Sequence, residues 1–182
     1  MKLYIKKPDR RGVALILLWF ATAATLCFIF SNSIVSREES GATSHGIAAF
    51  LQSILDPNQK IDPDLFHTVI RKLAHFTEFG LLGVELALIR RLSVGRVFGV
   101  GWFSLAFALL AVANIDEFIQ SFTGRGSQVS DSLIDFAGGI TGTVAVAVAY
   151  WLILGIAERR RIKASPRPKK TRGGKKSKRL QA

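Results

Sequence analysis

Four stretches of the chain are apolar for long enough to suggest helices within a membrane, and polar residues interrupt them unequally. Residues 13–30 (VALILLWFATAATLCFIF) carry no charge. At ~1.5 Å per residue such a helix nearly crosses a hydrocarbon core of roughly 30 Å. The second run, 73–89, is broken by His75, Glu78 and Glu85. The third, 97–115, is uncharged, and the fourth, 133–157, carries only Asp135 near its start. The pattern predicts an all-α, polytopic membrane bundle of four transmembrane helices. Asp62-Pro63-Asp64 marks the start of the second helix, with an N-cap acceptor, a proline in the first turn and an acid beside the positive dipole end. Between the first two runs, Ile47, Phe50, Leu51, Ile54 and Leu55 recur at helical spacing. They predict a short amphipathic helix that either lies along the outer interface or packs on the outer ends of the spans.

Composition then separates this chain from a soluble domain of similar length. Hydrophobic residues make up 49% of its 182 positions, yet its formal net charge is +12, and its mean hydropathy is +0.29. These values coexist only where apolar and charged residues are segregated. The single cysteine, Cys27, lies in an apolar run, which excludes a disulfide framework and a Cys-based metal knuckle. A lipobox is not expected there, because Leu26 stands where a small residue is required. The basic flank of the first run fits a signal peptide, but the run exceeds the usual h-region of about 7–15 residues and no A-x-A site follows it. It is read as a retained span.

Charge also predicts orientation. Of the 25 Lys and Arg, 20 fall in the N-terminal segment, the 90–96 loop and the tail after Ala157, which share one side of a four-span chain. The rest are Arg37, Lys60, Arg71, Lys72 and Arg125. The positive-inside rule places both termini in the cytoplasm. The expected organisation is therefore a basic cytoplasmic N-terminus at 1–12, a transmembrane domain at 13–157 and a disordered basic cytoplasmic tail at 158–182. The tail either serves simply as a solvated charge run that sets topology or meets anionic lipid head groups, at about 1 kcal/mol per basic residue near the surface. Nucleic acid is not an expected partner, since the basic run has neither interleaved aromatics nor a folded basic module.

Polar residues inside spans face a bundle interior or a wet cavity. On the second helix, Arg71, His75, Glu78, Leu82 and Glu85 are 4, 3, 4 and 3 residues apart, which keeps them on one stripe at about 100° per residue. Lys72 lies off that stripe, where it can snorkel to the interface. On the fourth helix, Asp131, Asp135, Gly138 and Gly142 share a face, and Gly138 with Gly142 forms a G-x-x-x-G pair suited to close helix approach. The third run ends in Asn114, Asp116, Glu117 and Gln120. Because successive spans alternate in direction, these three clusters and Arg125 converge at the extracytoplasmic side.

Such a cluster admits several chemistries. His75 and Glu78 could supply half of a metal site completed by Asp116 or Glu117, although no metal ligand set is assigned. A His75–carboxylate pair could do general acid/base work, with His75, Glu78 and Glu117 as candidate catalytic residues. The mixture also suits a polar head group on a lipid. A purely structural network is the alternative, with Arg71 or Arg125 paired to Glu78, Asp116 or Asp135. Glu85 lies deeper and needs a proton or a polar partner. There is no G-x-S-x-G elbow, H-E-x-x-H motif or P-loop.

FIFSNSIVSREES (28–40), RKLAHFTEFGLLG (71–83) and DEFIQSFTGRGSQVSDSLIDFAGGITG (116–142) occur in this order. They resemble the VanZ-like family of small bacterial membrane proteins over about residues 13–157. Asp135 stands where many members have Asn. The resemblance implies a cell-envelope role in the bacterial cytoplasmic membrane, since the founding member is associated with resistance to teicoplanin, which binds lipid-linked wall precursors. Its carried-over positions are Arg71, Lys72, His75, Glu78, Asp116, Glu117, Gln120, Arg125 and Asp131. Together with Asp135 they form the expected ligand-binding set. The expected partners are membrane lipids and lipid-linked cell-wall intermediates or lipoglycopeptides. No cofactor is identified.

Overall fold

The computed structural model describes residues 9–35, 37–123 and 128–164, without the side chains of 37–43 and 161–164. Five helices follow one another: α1 (Arg10–Ile34), α2 (Arg37–Leu55), α3 (Pro63–Val94), α4 (Trp102–Phe122) and α5 (Val129–Ala164). No strand occurs among the described residues. Among the described residues, three helices are long and apolar enough to cross a membrane: α1, α4 and α5 from Val129 to Arg160. The chain is thus a multi-pass helical membrane protein. α3 is as long as the others but too heavily charged to belong with them on hydropathy.

Local chemistry explains the helix ends. The Asp9 carboxylate accepts from the Gly12 amide at 2.7 Å and so caps α1. Asp62 accepts from the Asp64 and Leu65 amides at 3.0 and 3.1 Å, with Pro63 opening α3 as expected. The third apolar run becomes helical only at Trp102, later than the hydropathy suggests. Gly99 and Gly101 take φ of 108° and 85°, a left-handed geometry that ends regular helix and that glycine adopts without a Cβ penalty. Arg90 then donates from Nε to the Val97 carbonyl at 2.7 Å and from Nη2 to that of Val100. The same helix continues past residue 115 to Phe122, carrying its polar residues on helical backbone.

The chain divides into two compact units, Met1–Ala149 and Tyr150–Ala182. In the first, α3 packs against α1, α2 and α4. The core joins Ile29 of α1, Phe79 and Leu82 of α3, and Leu105, Leu109 and Ala113 of α4. α5 comes closer still. A methyl group on Gly138 would overlap the Phe76 carbonyl oxygen, and one on Gly142 the Gly80 carbonyl. The G-x-x-x-G pair therefore does what its spacing predicts, laying α5 against the backbone of α3. Outside this core, Phe20, Phe103, Phe107 and Phe122 are exposed, an apolar surface that lipid covers. In the second unit, Trp151, Leu152, Ile153 and Leu154 of α5 are exposed in the same way.

The amphipathic segment is helical as expected, and α2 packs on α3. The face it buries carries Ala48 and Gln52, whereas Ile47, Phe50, Ile54 and Leu55 are exposed. Of the two dispositions open to that stripe, packing on the spans is the one this arrangement disfavours.

Candidate functional site

The polar residues meet at one end of the bundle, where α1 and α4 finish and α3 and α5 begin. Ser33, in the last turn of α1, places its hydroxyl against Asp116 Oδ1 of α4 and 3.0 Å from the Ile29 carbonyl. Gln120 Nε2 donates to the other Asp116 oxygen at 2.7 Å, one helical turn away. Glu117 accepts from the Gln128 amide at 3.0 Å and so ties α4 to the approach of α5. The opposite end of the bundle is basic: Arg11 donates to the Ser93 carbonyl at 3.0 Å, joining the start of α1 to the end of α3. The alternation of helix directions that the convergence requires is therefore present.

The cluster has a rim and a floor. At the rim, Asp131 lies between two cations, 3.1 Å from Lys72 Nζ and 3.5 Å from Arg71 Nη2. One carboxylate faces two positive charges, so this trio keeps a net positive charge. At the floor, His75 Nδ1 lies 3.7 Å from Asp135 Oδ1. Asp135 is 1% exposed and Asp116 0%. Neither Asp135 oxygen has a hydrogen-bond partner among the described residues. A carboxylate buried without compensation is costly. His75, Asp116 and Asp135 come from three helices, and each can bring one ligand atom within 4.8 Å of the other two.

The ten expected site residues do not line one cavity. A cavity of about 430 Å³ opens between α1, α2 and α3. Phe28, Val35, Ile47, Ile70 and Ala74 form apolar walls, and Asn32, Ser44, His67, Arg71, His75 and Glu78 line the polar side. Asp116, Glu117, Gln120, Asp131 and Asp135 do not line it, and a small crevice connects Arg71, Lys72 and His75 with Asp131 and Asp135. His75 and Arg71 border both spaces. Arg125 lies outside the described residues. Arg71 meets Asp131, a partner that was not among the expected pairings.

Three residues were invisible to sequence reasoning as site members. Ser33 belongs to the FIFSNS segment, where a hydroxyl at the end of an apolar helix was the available signal. Thr25 donates to Glu85 Oε1 at 2.9 Å and so gives one oxygen of that deep carboxylate a partner, while Oε2 has none among the described residues. Gln128 contributes a backbone amide, which no side-chain pattern can announce.

A family model described as VanZ/LLP1 matches residues 14–153. No curated protein and no solved structure matches the chain.

Proposed function

The chain belongs to the VanZ/LLP1 family, and on that premise we propose that it is a bacterial cytoplasmic-membrane protein that holds a lipid-linked or amphipathic ligand at its extracytoplasmic face. In this reading α3 is a fourth span, 73–89, both termini are cytoplasmic, and the basic tail meets anionic head groups on the inner side. The observation that carries the reading is the cavity of about 430 Å³ with apolar walls and Arg71, His75 and Glu78 on one side. Apolar walls with a few convergent polar groups are what an amphiphile requires. The excess cation at the Arg71–Lys72–Asp131 rim favours an anionic head group, which a guanidinium binds with planar donors. The exposed Phe50 and Ile54 of α2 place an apolar surface beside the cavity, where the helix would rest in the outer interface. Sequestering a lipid-linked wall component there would alter its exposure to glycopeptides such as teicoplanin.

A second reading, an intramembrane hydrolase or transferase using His75, Glu78, Asp116 and Glu117, draws support from the floor. There a buried carboxylate faces an imidazole and, among the described residues, no Lys or Arg. A scaffolding subunit with a purely structural cluster would pair that carboxylate. Native mass spectrometry of the detergent-purified protein with a polyprenyl phosphate and the matching polyprenol tests the binding reading. The phosphate should be retained preferentially, and Arg71→Ala should remove the preference at normal membrane abundance. Equal retention of both lipids by the wild type would refute an anion-selective pocket.

A further inference from the structure

We infer that His75, Asp116 and Asp135 form a binding site for one divalent cation of the Zn²⁺ or Mn²⁺ class, held between α3, α4 and α5. This goes beyond amphiphile binding and stands on different observations. The donor set is one imidazole and two carboxylates, from residues within 4.8 Å of one another at their ligand atoms. Around a tetrahedral ion with bonds of about 2.1 Å, neighbouring ligand atoms stand about 3.4 Å apart. The His75–Asp135 separation of 3.7 Å is already near that value. Rotation of the side chains by about an ångström would bring in Asp116.

Burial points the same way. Asp135 is 1% exposed, and its oxygens have no hydrogen-bond donor among the described residues. The rim cations are engaged by Asp131, one turn away on α5. A divalent ion would balance Asp116 and Asp135 together and leave the imidazole neutral, the form that ligates. Asp116 is also prepared as ligands usually are. Ser33 and Gln120 each engage one of its oxygens, fixing the carboxylate plane and leaving lone pairs for an ion. Imidazole with carboxylates suits Zn²⁺ or Mn²⁺ better than Ca²⁺ or a thiolate-seeking metal. Three protein ligands leave a coordination position for water or for an oxygen of a bound molecule.

The test uses the full chain, purified in detergent without a polyhistidine tag. Its metal content is measured by mass spectrometry after equilibration with Zn²⁺ or Mn²⁺ and removal of free ion. The wild type should hold roughly one ion per chain, and its thermal midpoint should rise with added ion and fall with chelator. Asp135→Asn, close in shape, should lose the ion and the shift, and so should His75→Ala. Ser33→Ala should weaken binding about 10–100-fold. Arg71→Ala should keep the ion. The inference is overturned if the wild type holds no stoichiometric ion and its midpoint ignores chelator. It is equally overturned if Asp135→Asn and His75→Ala retain the ion, because it then sits elsewhere. A protein that retains the polyprenyl phosphate but no ion sinks this site alone, and one that holds the ion but shows no lipid preference sinks the cavity reading alone.

Discussion

Asp131 and Asp135 stand one helical turn apart on the same face of α5, yet the protein treats them oppositely. Asp131, 16% exposed in its side chain, is held between Arg71 and Lys72. Asp135, at 1%, has an imidazole 3.7 Å away and no Lys or Arg paired with it among the described residues. Water-accessible charge is neutralised here by flexible side chains that lose little when parted. The buried carboxylate meets no hydrogen-bond donor among the described residues. The rim therefore reads as structure and capture, and the floor as a site.

The largest effect should come from separating the floor's two walls. Gly138→Val drives side-chain atoms into the Phe76 carbonyl, and backbone cannot yield as a side chain can. The cost should reach or exceed the ~3 kcal/mol top of the usual overpacking range. Membrane abundance and a monodisperse gel-filtration peak should both be lost; a well-folded variant would show that α5 can stand off from α3.

Next comes the hydroxyl that orients Asp116. Ser33→Ala should lower stability by about 1–3 kcal/mol, because it strips a buried carboxylate of a donor. Thermal unfolding in detergent measures this, and an unchanged midpoint would remove Ser33 from the floor.

The rim and floor aspartates can then be compared directly. Asp131→Asn breaks two partly exposed ion pairs and should cost no more than ~1 kcal/mol. Asp135→Asn, measured in chelator, should leave the midpoint equal or higher, since it removes a buried uncompensated charge. A destabilised Asp135→Asn protein with an intact Asp131→Asn protein would invert the assignment.

These contrasts also explain what the sequence could and could not tell. Helical periodicity on α3 aligned Arg71, His75 and Glu78 before any coordinates, and the Gly138–Gly142 spacing announced the close approach of α5. The start of α4 was missed because Val97, Phe98 and Val100 are apolar, and hydropathy is blind to the left-handed turn at Gly99 and Gly101. The cluster's division into cavity, rim and floor was missed for another reason. Residues on one stripe of α3 meet different neighbours according to rotamer and helix tilt, so a shared face does not mean a shared cavity. Hydropathy also ranks α3 last as a span, although it is the helix against which the others pack.

The smallest effect expected is one of pH at the outer edge of the cavity. His67 stacks on His45 with ring centroids 3.8 Å apart, and its Nε2 lies 2.8 Å from Ser44 Oγ. Burial, and then the charges of His45 and Arg71, hold His67 below its ordinary value, against an opposing pull from Asp64. Its folded pKa is thus below the unfolded one. The associated stability is present above the ordinary value of 6.5 and is lost as pH falls below it towards the folded value. Amide exchange in α2, corrected for intrinsic rate, should be modestly faster at pH of about 5.5 than about 7.5. No difference would detach the His pair from the docking of α2.

The central claim is that α3, despite its charges, crosses the bilayer and opens the polar cluster to the outside. In a Cys27→Ser background, Lys60→Cys marks the chain just before α3 and Ser93→Cys marks its far end. An impermeant maleimide applied to intact cells should label the cysteine at 60 and reach that at 93 only after the cells are opened. Labelling of both positions in intact cells, or of neither, would put the two ends of α3 on one side of the membrane and contradict the account.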